Sequence, residues 1–463
     1  MLVSRRRIIS SLVLLALSGS VAAPSGAAAR SAPAPIVRQN ANLSAAGQPL
    51  AISLAAQSPK PKVNTAALRG EGSLAFTWGA SIYAASAAGG MHLITNAAGT
   101  DLAWSHDGHW LAYIQTNADP KVGATLWMAA AGGGKAHRVS ELTNMGNFAW
   151  SPTGDTLAVS ARPAGHANAE PSLWLVSPNK PPRKLVSNAG GAAWSPDGRT
   201  VAMDVTAPSG LFSAGSDSLA TMPIKGGPIT HHITAQNSGI ILSGWWPNGQ
   251  GLIFMIDPSH SNSIAADGLT LYSVSLHGKT KALTKTLGYQ DWLSWAPSGT
   301  KLLLVSGTGR EIWTGKSLSV CDAAAGSCKA LPIPKGSVAL DPVWSPNGKH
   351  IAYVRAKDAG KVGGFGKESA NAAWVHTRSL WIADPTGGHA HQLSAAGSGI
   401  YQPIWSRGGD ALFYVRDNTL WRIGTTAASP TKVVGPFPTP PPAYPAGYYG
   451  HLSWSGQLAL QGR

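Results

Sequence analysis

The feature that most constrains this chain is a short string, Trp-Ser-Pro-Asp-Gly, written again and again along it. It stands as Leu102-Ala-Trp-Ser-His-Asp-Gly108, Phe148-Ala-Trp-Ser-Pro-Thr-Gly154 and Ala192-Ala-Trp-Ser-Pro-Asp-Gly198. It continues as Ser243-Gly-Trp-Trp-Pro-Asn-Gly249, Leu293-Ser-Trp-Ala-Pro-Ser-Gly299, Pro342-Val-Trp-Ser-Pro-Asn-Gly348 and Pro403-Ile-Trp-Ser-Arg-Gly-Gly409. A shortened copy, Leu452-Ser-Trp-Ser-Gly456, closes the series. Taking Trp104, Trp150, Trp194, Trp246, Trp295, Trp344, Trp405 and Trp454 as the marks, the copies lie 44 to 61 residues apart. That period suits one four-stranded blade of a β-propeller.

Each unit carries the physics of a blade. The Trp ends a short strand, and the turn follows with Pro fixing φ at its first corner and Gly supplying φ > 0 at its last. An apolar strand comes next, as in Trp110-Leu-Ala-Tyr-Ile114 or Leu252-Ile-Phe-Met-Ile256. A third strand carries a second aromatic mark (Trp127, Trp174, Tyr272, Trp381, Trp421), and a polar fourth strand suits an exposed edge. Near the start, residues 74–94 read as a unit lacking its first strand, which Leu452–Ser455 is expected to supply. The fold class is therefore all-β, a propeller of four-stranded blades closed by N- and C-terminal strands. The count favours eight blades, with seven as the alternative.

Composition supports this reading. Charged residues are 12% of the 463, while Gly (54), Pro (33) and Trp (18) are abundant, which argues against long helices. Residues 1–23 read as a signal peptide, with Arg5-Arg6-Arg7, an apolar run too short to cross a bilayer, and Val21-Ala22-Ala23. The triple Arg leaves general and twin-arginine export both open. Residues 24–69 read as an Ala/Ser/Pro-rich, mostly disordered linker, and 70–463 as the propeller. The formal charge of +15 is concentrated ahead of residue 70, leaving about +7 on the body, a mild bias toward anionic partners. Cys321 and Cys328, in a Gly-containing hairpin, are expected to form one structural disulfide in an oxidising compartment. The expected location is secreted or periplasmic, with no membrane-spanning segment.

The Trp-Ser-Pro-Asp-Gly copies, the following Ile-Ala-Tyr-type strand and the Gly-Gly turns resemble the TolB-like (WD40-like, PD40) propeller family over residues 70–463. The resemblance implies the fold and not a function. The small α/β domain that precedes the TolB propeller has no counterpart in 24–69, and no G-x-S-x-G elbow marks a peptidase domain.

Chemistry is sparse. His389 and His391 share one strand face and His231-His232 does not, so no metal site is expected. Three residues before each marked Trp stand Asp101, Asn147, Gly191, Ser243, Trp292, Asp341, Gln402 and His451. On innermost strands they would ring one mouth of the channel, and the polar ones (with Trp292) are the candidate ligand-binding set. Two irregular stretches are candidate interaction loops. Residues 356–378 hold Lys357, Lys361, Lys367, Trp374 and Arg378, and the proline-rich stretch 436–449 holds Tyr444, Tyr448 and Tyr449. The expectation is a monomeric, exported, non-catalytic scaffold without a cofactor, binding an envelope or secreted protein. The alternatives are a propeller enzyme (lyase, lactonase or glycan-active) using the mouth residues, and a binder of anionic polymer or glycan. Nucleic acid is not expected as a partner.

Overall fold

The computed structural model describes residues 59–117, 122–166, 169–206, 215–360, 373–394, 399–426, 429–438 and 450–462. The signal peptide, most of the linker, and Lys361, Lys367, Tyr444, Tyr448 and Tyr449 lie outside them. The described residues belong to a single compact unit.

Eight antiparallel sheets follow one another around a ring, each a simple meander. Blade 1 has Leu74–Trp78, Ser81–Ser86 and Gly90–Thr95, with Leu458–Leu460 added beside the first of these. The innermost strands of blades 2 to 8 are Thr100–Trp104, Phe148–Trp150, Ala193–Trp194, Ser238–Trp245, Leu293–Trp295, Ser337–Trp344 and Ile400–Trp405. Blade 3 has an extra short strand, Leu142–Thr143, on the same partner as Phe148–Trp150. Most of these first strands touch from blade to blade, whereas the fourth strands face water, Ser327–Ala330 along its whole length. The disulfide joins Cys321 to Cys328 directly across the outer strand pair of blade 6.

The repeated pentapeptide does two jobs. In the turn, Ser105 Oγ donates to Asp107 Oδ1 (2.6 Å) and accepts from Trp110 N–H (3.0 Å). The same arrangement recurs at Ser195 with Asp197 and Thr200, and at Ser345 with Asn347 and His350. The serine thus satisfies the turn from inside, and Gly108 turns the chain at φ 75°. The Trp ties blades together. Nε1 of Trp150 donates to Ala103 O (2.9 Å), Trp194 to Ala149 O (2.9 Å), Trp245 to Ala193 O (2.9 Å) and Trp405 to Val343 O (3.2 Å). Trp344 departs from the pattern and donates to Gly348 O within its own turn.

Two offsets need correction. The mark in blade 5 is Trp245, not Trp246. Trp245 pairs with Leu252 in the strand ladder, while Trp246 takes the place of the turn serine. Ring closure is made by Leu458–Leu460, not by Leu452–Ser455. Leu74 pairs with Leu460 and Phe76 with Leu458, so Leu460 stands where other blades have Trp. Residues 59–69 also differ from the expected linker. Val63 bridges to Val434, Thr65–Leu68 form a 3₁₀ turn, and Leu68 is fully buried against Phe76, Phe413 and Trp454.

Candidate functional site

The two ends of the ring are built differently. One end holds the short pentapeptide turns. The other holds the starts of the inner strands, the long connections 259–268 and 307–316, and the described parts of a third, 358–360 and 373–378. These connections are fastened sideways. Arg310 pairs with Asp267 (2.5 Å), Ala359 N–H donates to Trp313 O (3.0 Å), and Trp313 meets Trp374 edge to face. Inside 307–316, the buried Lys316 ammonium donates to the carbonyls of Thr308, Gly309, Glu311 and Thr314 at 2.7–3.1 Å. Burial pushes its pKa down to about 8, and Glu311 and Asp358 oppose that shift.

At this end several of the predicted mouth residues occupy kinks in the inner strands. Asp101, Asp341 and Gln402 have φ of 56°, 48° and 46°, and each lies at a break in its strand register. They are β-bulges held in the left-handed region, which bends the strand end and re-aims the side chain. Gly191 shares this conformation (φ 35°). A Cβ on Gly190 or Gly191 would come within 2.3 Å of the Asp204 carboxylate, so only glycine fits beside it. Burial, then the nearby Asp217, push Asp204 up to about 7.

Blades 6, 7 and 8 join their rim residues into one buried network. Asp341 accepts from Trp292 Nε1 (3.2 Å), from Arg378 (2.5 Å) and from Gln402 N–H (3.3 Å). Arg378 also donates to Ile400 O (2.6 Å), and its guanidinium lies over Tyr401 at 4.2 Å. Gln402 Oε1 accepts from Trp454 N–H (2.6 Å). His451 lies flat on Tyr289, with centroids 3.8 Å apart and planes 4° apart. Its Nε2 reaches both oxygens of Asp291 at 3.1 Å. Burial disfavours the Asp291 anion, but charge and hydrogen bonding from His451 outweigh it and hold the carboxyl below its usual range.

Four of the predicted set, Trp292, Asp341, Gln402 and His451, therefore come together, joined by Arg378 from the insertion. Asp101, Asn147 and Ser243 belong to other blades. All three are buried, and the side-chain polar atoms of Asn147 and Ser243 have no protein partner. His451 is no repeat position, because Gln457 stands three residues before Leu460 on the closing strand. Of the insertion residues, Lys357 is exposed, but Trp374 and Arg378 are buried (6% and 1% exposed). Trp374 stitches the loop by donating to Lys357 O (2.8 Å). Sequence reasoning missed Tyr289, Asp291 and Lys316, and Arg378 was found as a loop residue rather than a buried one. None of these sits at a repeat position. Among the described residues no His/Cys/Asp/Glu group is arranged to hold a metal ion, and no helix is long and apolar enough to cross a membrane.

Solved structures similar to this chain include a eukaryotic initiation factor, 16% identical, covering 78% of this chain and 86% of its own, at TM-score 0.51. Porphyromonas gingivalis dipeptidyl peptidase 4 is 11% identical over 81% of this chain at TM-score 0.52. The chain spans 59% of that peptidase. TolB from Acinetobacter baumannii aligns over 77% of this chain and 76% of its own, 16% identical, at TM-score 0.34. The likeness is one of fold. No protein-family profile and no curated protein sequence matches the chain.

Proposed function

We propose that the chain is an extracytoplasmic binding scaffold that engages a protein partner through the end of the ring opposite the pentapeptide turns. One observation carries this reading. The long connections and the bulged rim converge at that end and are locked to one another by Asp341–Arg378, Gln402–Trp454 and His451–Asp291. Loops positioned by a rigid framework are where binding residues concentrate. The rim acids of this half are spent on structural partners, which favours binding over catalysis. The disulfide and the leader-like first 23 residues support an oxidising compartment.

The test is amine crosslinking of the full chain to native envelope material, with the linked lysines mapped by mass spectrometry. Exposed lysines mark both ends. Crosslinks through Lys335 and Lys357 are expected. Links confined to Lys135, Lys180, Lys225 and Lys349, at the turn end, would contradict the reading.

A further inference from the structure

His451, in the C-terminal segment 450–453, lies against Tyr289, Asp291 and Trp292. We infer that Tyr289, Asp291 and Trp292 form a recognition site for a planar cationic side chain on an extended segment of a partner protein, and that His451 fills this site in cis. The inference deepens the scaffold reading and rests on it.

The Tyr289 ring offers a flat face on which the imidazole is stacked, and Trp292 closes one edge at 5.9 Å and 76°. The Asp291 carboxylate presents both oxygens to a single ring nitrogen at 3.1 Å. An aromatic face beside a two-oxygen acceptor is the combination that selects a guanidinium or imidazolium over a neutral or purely apolar group. The ion-pair partner of Asp291, His451, comes from the C-terminal segment, as does Ser453, whose hydroxyl also helps to hold the carboxyl low. Once that segment leaves, the acid faces the rim without them.

The segment is gripped unevenly, which makes exchange feasible. Trp454 is almost fully buried among Leu68, Phe413 and Phe437, and Leu458–Leu460 is built into blade 1. By contrast Leu452 and Ser453 are half-buried, and Gly450 turns the chain at φ 78° against Trp313. Residues 450–453 can swing away while buried Trp454 anchors the chain and Leu458–Leu460 keeps the ring closed. What replaces them must fill the slot that these four residues leave, so the matching occupant is a peptide segment bearing Arg or His. His451 holds the site shut until such a segment competes.

The probes are acetylated tetrapeptide amides, Gly-Arg-Leu-Ser and Gly-Ala-Leu-Ser, with N-acetylarginine amide as the free small cation. Binding to wild type, His451→Ala and the double variant His451→Ala/Asp291→Asn is measured by calorimetry. The arginyl peptide is expected to bind His451→Ala at least about tenfold more tightly than wild type, because the self-occupied state no longer competes. The alanyl peptide should not bind, and the double variant should lose binding. In wild type, excess arginyl peptide should speed amide exchange at 450–453 and leave 458–460 protected, which decides the matter even if His451→Ala fails to fold. Equal binding of the alanyl peptide, no gain in His451→Ala, or unchanged exchange in wild type would overturn the inference. N-acetylarginine amide binding as tightly as the peptide would overturn the peptide assignment. If these probes fail while crosslinks still map to Lys335 and Lys357, the scaffold reading stands and this site alone is withdrawn.

Discussion

The indole of Trp104 donates to the carbonyl of Ala459 at 3.1 Å, across a separation of 355 residues. It is the same bond that links Trp150 to Ala103 and Trp194 to Ala149, so the join between the chain's two ends repeats the ordinary blade-to-blade contact. Together with the Leu458–Leu460 ladder, it leaves Leu74–Trp78 of blade 1 without a free edge.

Trp104→Phe keeps the bulk and removes this bond, and should cost about 1 kcal/mol. Trp104→Ala also opens a cavity and should cost about 3–5 kcal/mol. Denaturant unfolding of both variants, beside Trp150→Phe, checks the claim. A closing Trp that matters less than an internal one would show that the terminal seam bears little of the stability.

The Asp341–Arg378 pair is buried, so removing one partner strands a charge. Asp341→Ala should destabilise by roughly 3–5 kcal/mol, and the double variant Asp341→Ala/Arg378→Met should recover much of that loss. The recovery, read by thermal unfolding, separates a stranded charge from simple loss of packing. For the same reason Asp341 is a poor position at which to test ligand binding alone.

Asp204 gives the fold a pH dependence of definite sign. Burial and the nearby Asp217 push its carboxyl up to about 7 in the folded protein, against an ordinary 3.8, so between those limits the folded state holds a proton that the unfolded state releases. Its contribution is complete below about 4 and is lost as pH rises through 7. Asp204→Asn should therefore match wild type near pH 4 and exceed it by a few kcal/mol near pH 8. Unfolding curves across that range test it, and a constant difference between the two proteins would refute it.

Reduction of Cys321–Cys328 releases a loop with a sequence separation of 7. The chain-entropy estimate for so short a loop is roughly 2.5 kcal/mol. Cys321→Ala/Cys328→Ala should lower the unfolding temperature by a few degrees and leave the blade folded, because Leu302, Leu304 and Leu318 remain buried beside it.

The repeat made the propeller legible, because Trp, the turn serine and the turn glycine are each fixed by a local requirement. Trp245 was legible too, since it stands four residues before Gly249 just as Trp104 stands before Gly108. The adjoining Trp246 obscured it. The closing strand was not legible, because Leu460 replaces the indole and Trp454-Ser-Gly imitates the mark a few residues early. The rim was half legible. Spacing located Asp101, Asp341 and Gln402, but whether a side chain opens to the channel or is consumed by a neighbour depends on residues from other blades. Arg378 and His451 reach Asp341 and Asp291 across 37 and 160 residues, distances that no repeat period encodes.

Binding through the elaborated end of the ring should be visible in amide exchange of the full chain, alone and with whatever protein the crosslinking enriches. New protection is expected within 307–316, at 358–360 and along the rim strands beginning at Ser337 and Ile400, with the turns at 105–108, 195–198 and 345–348 unchanged. Protection confined to those turns, or to the outer strands, would place binding elsewhere and refute the proposal.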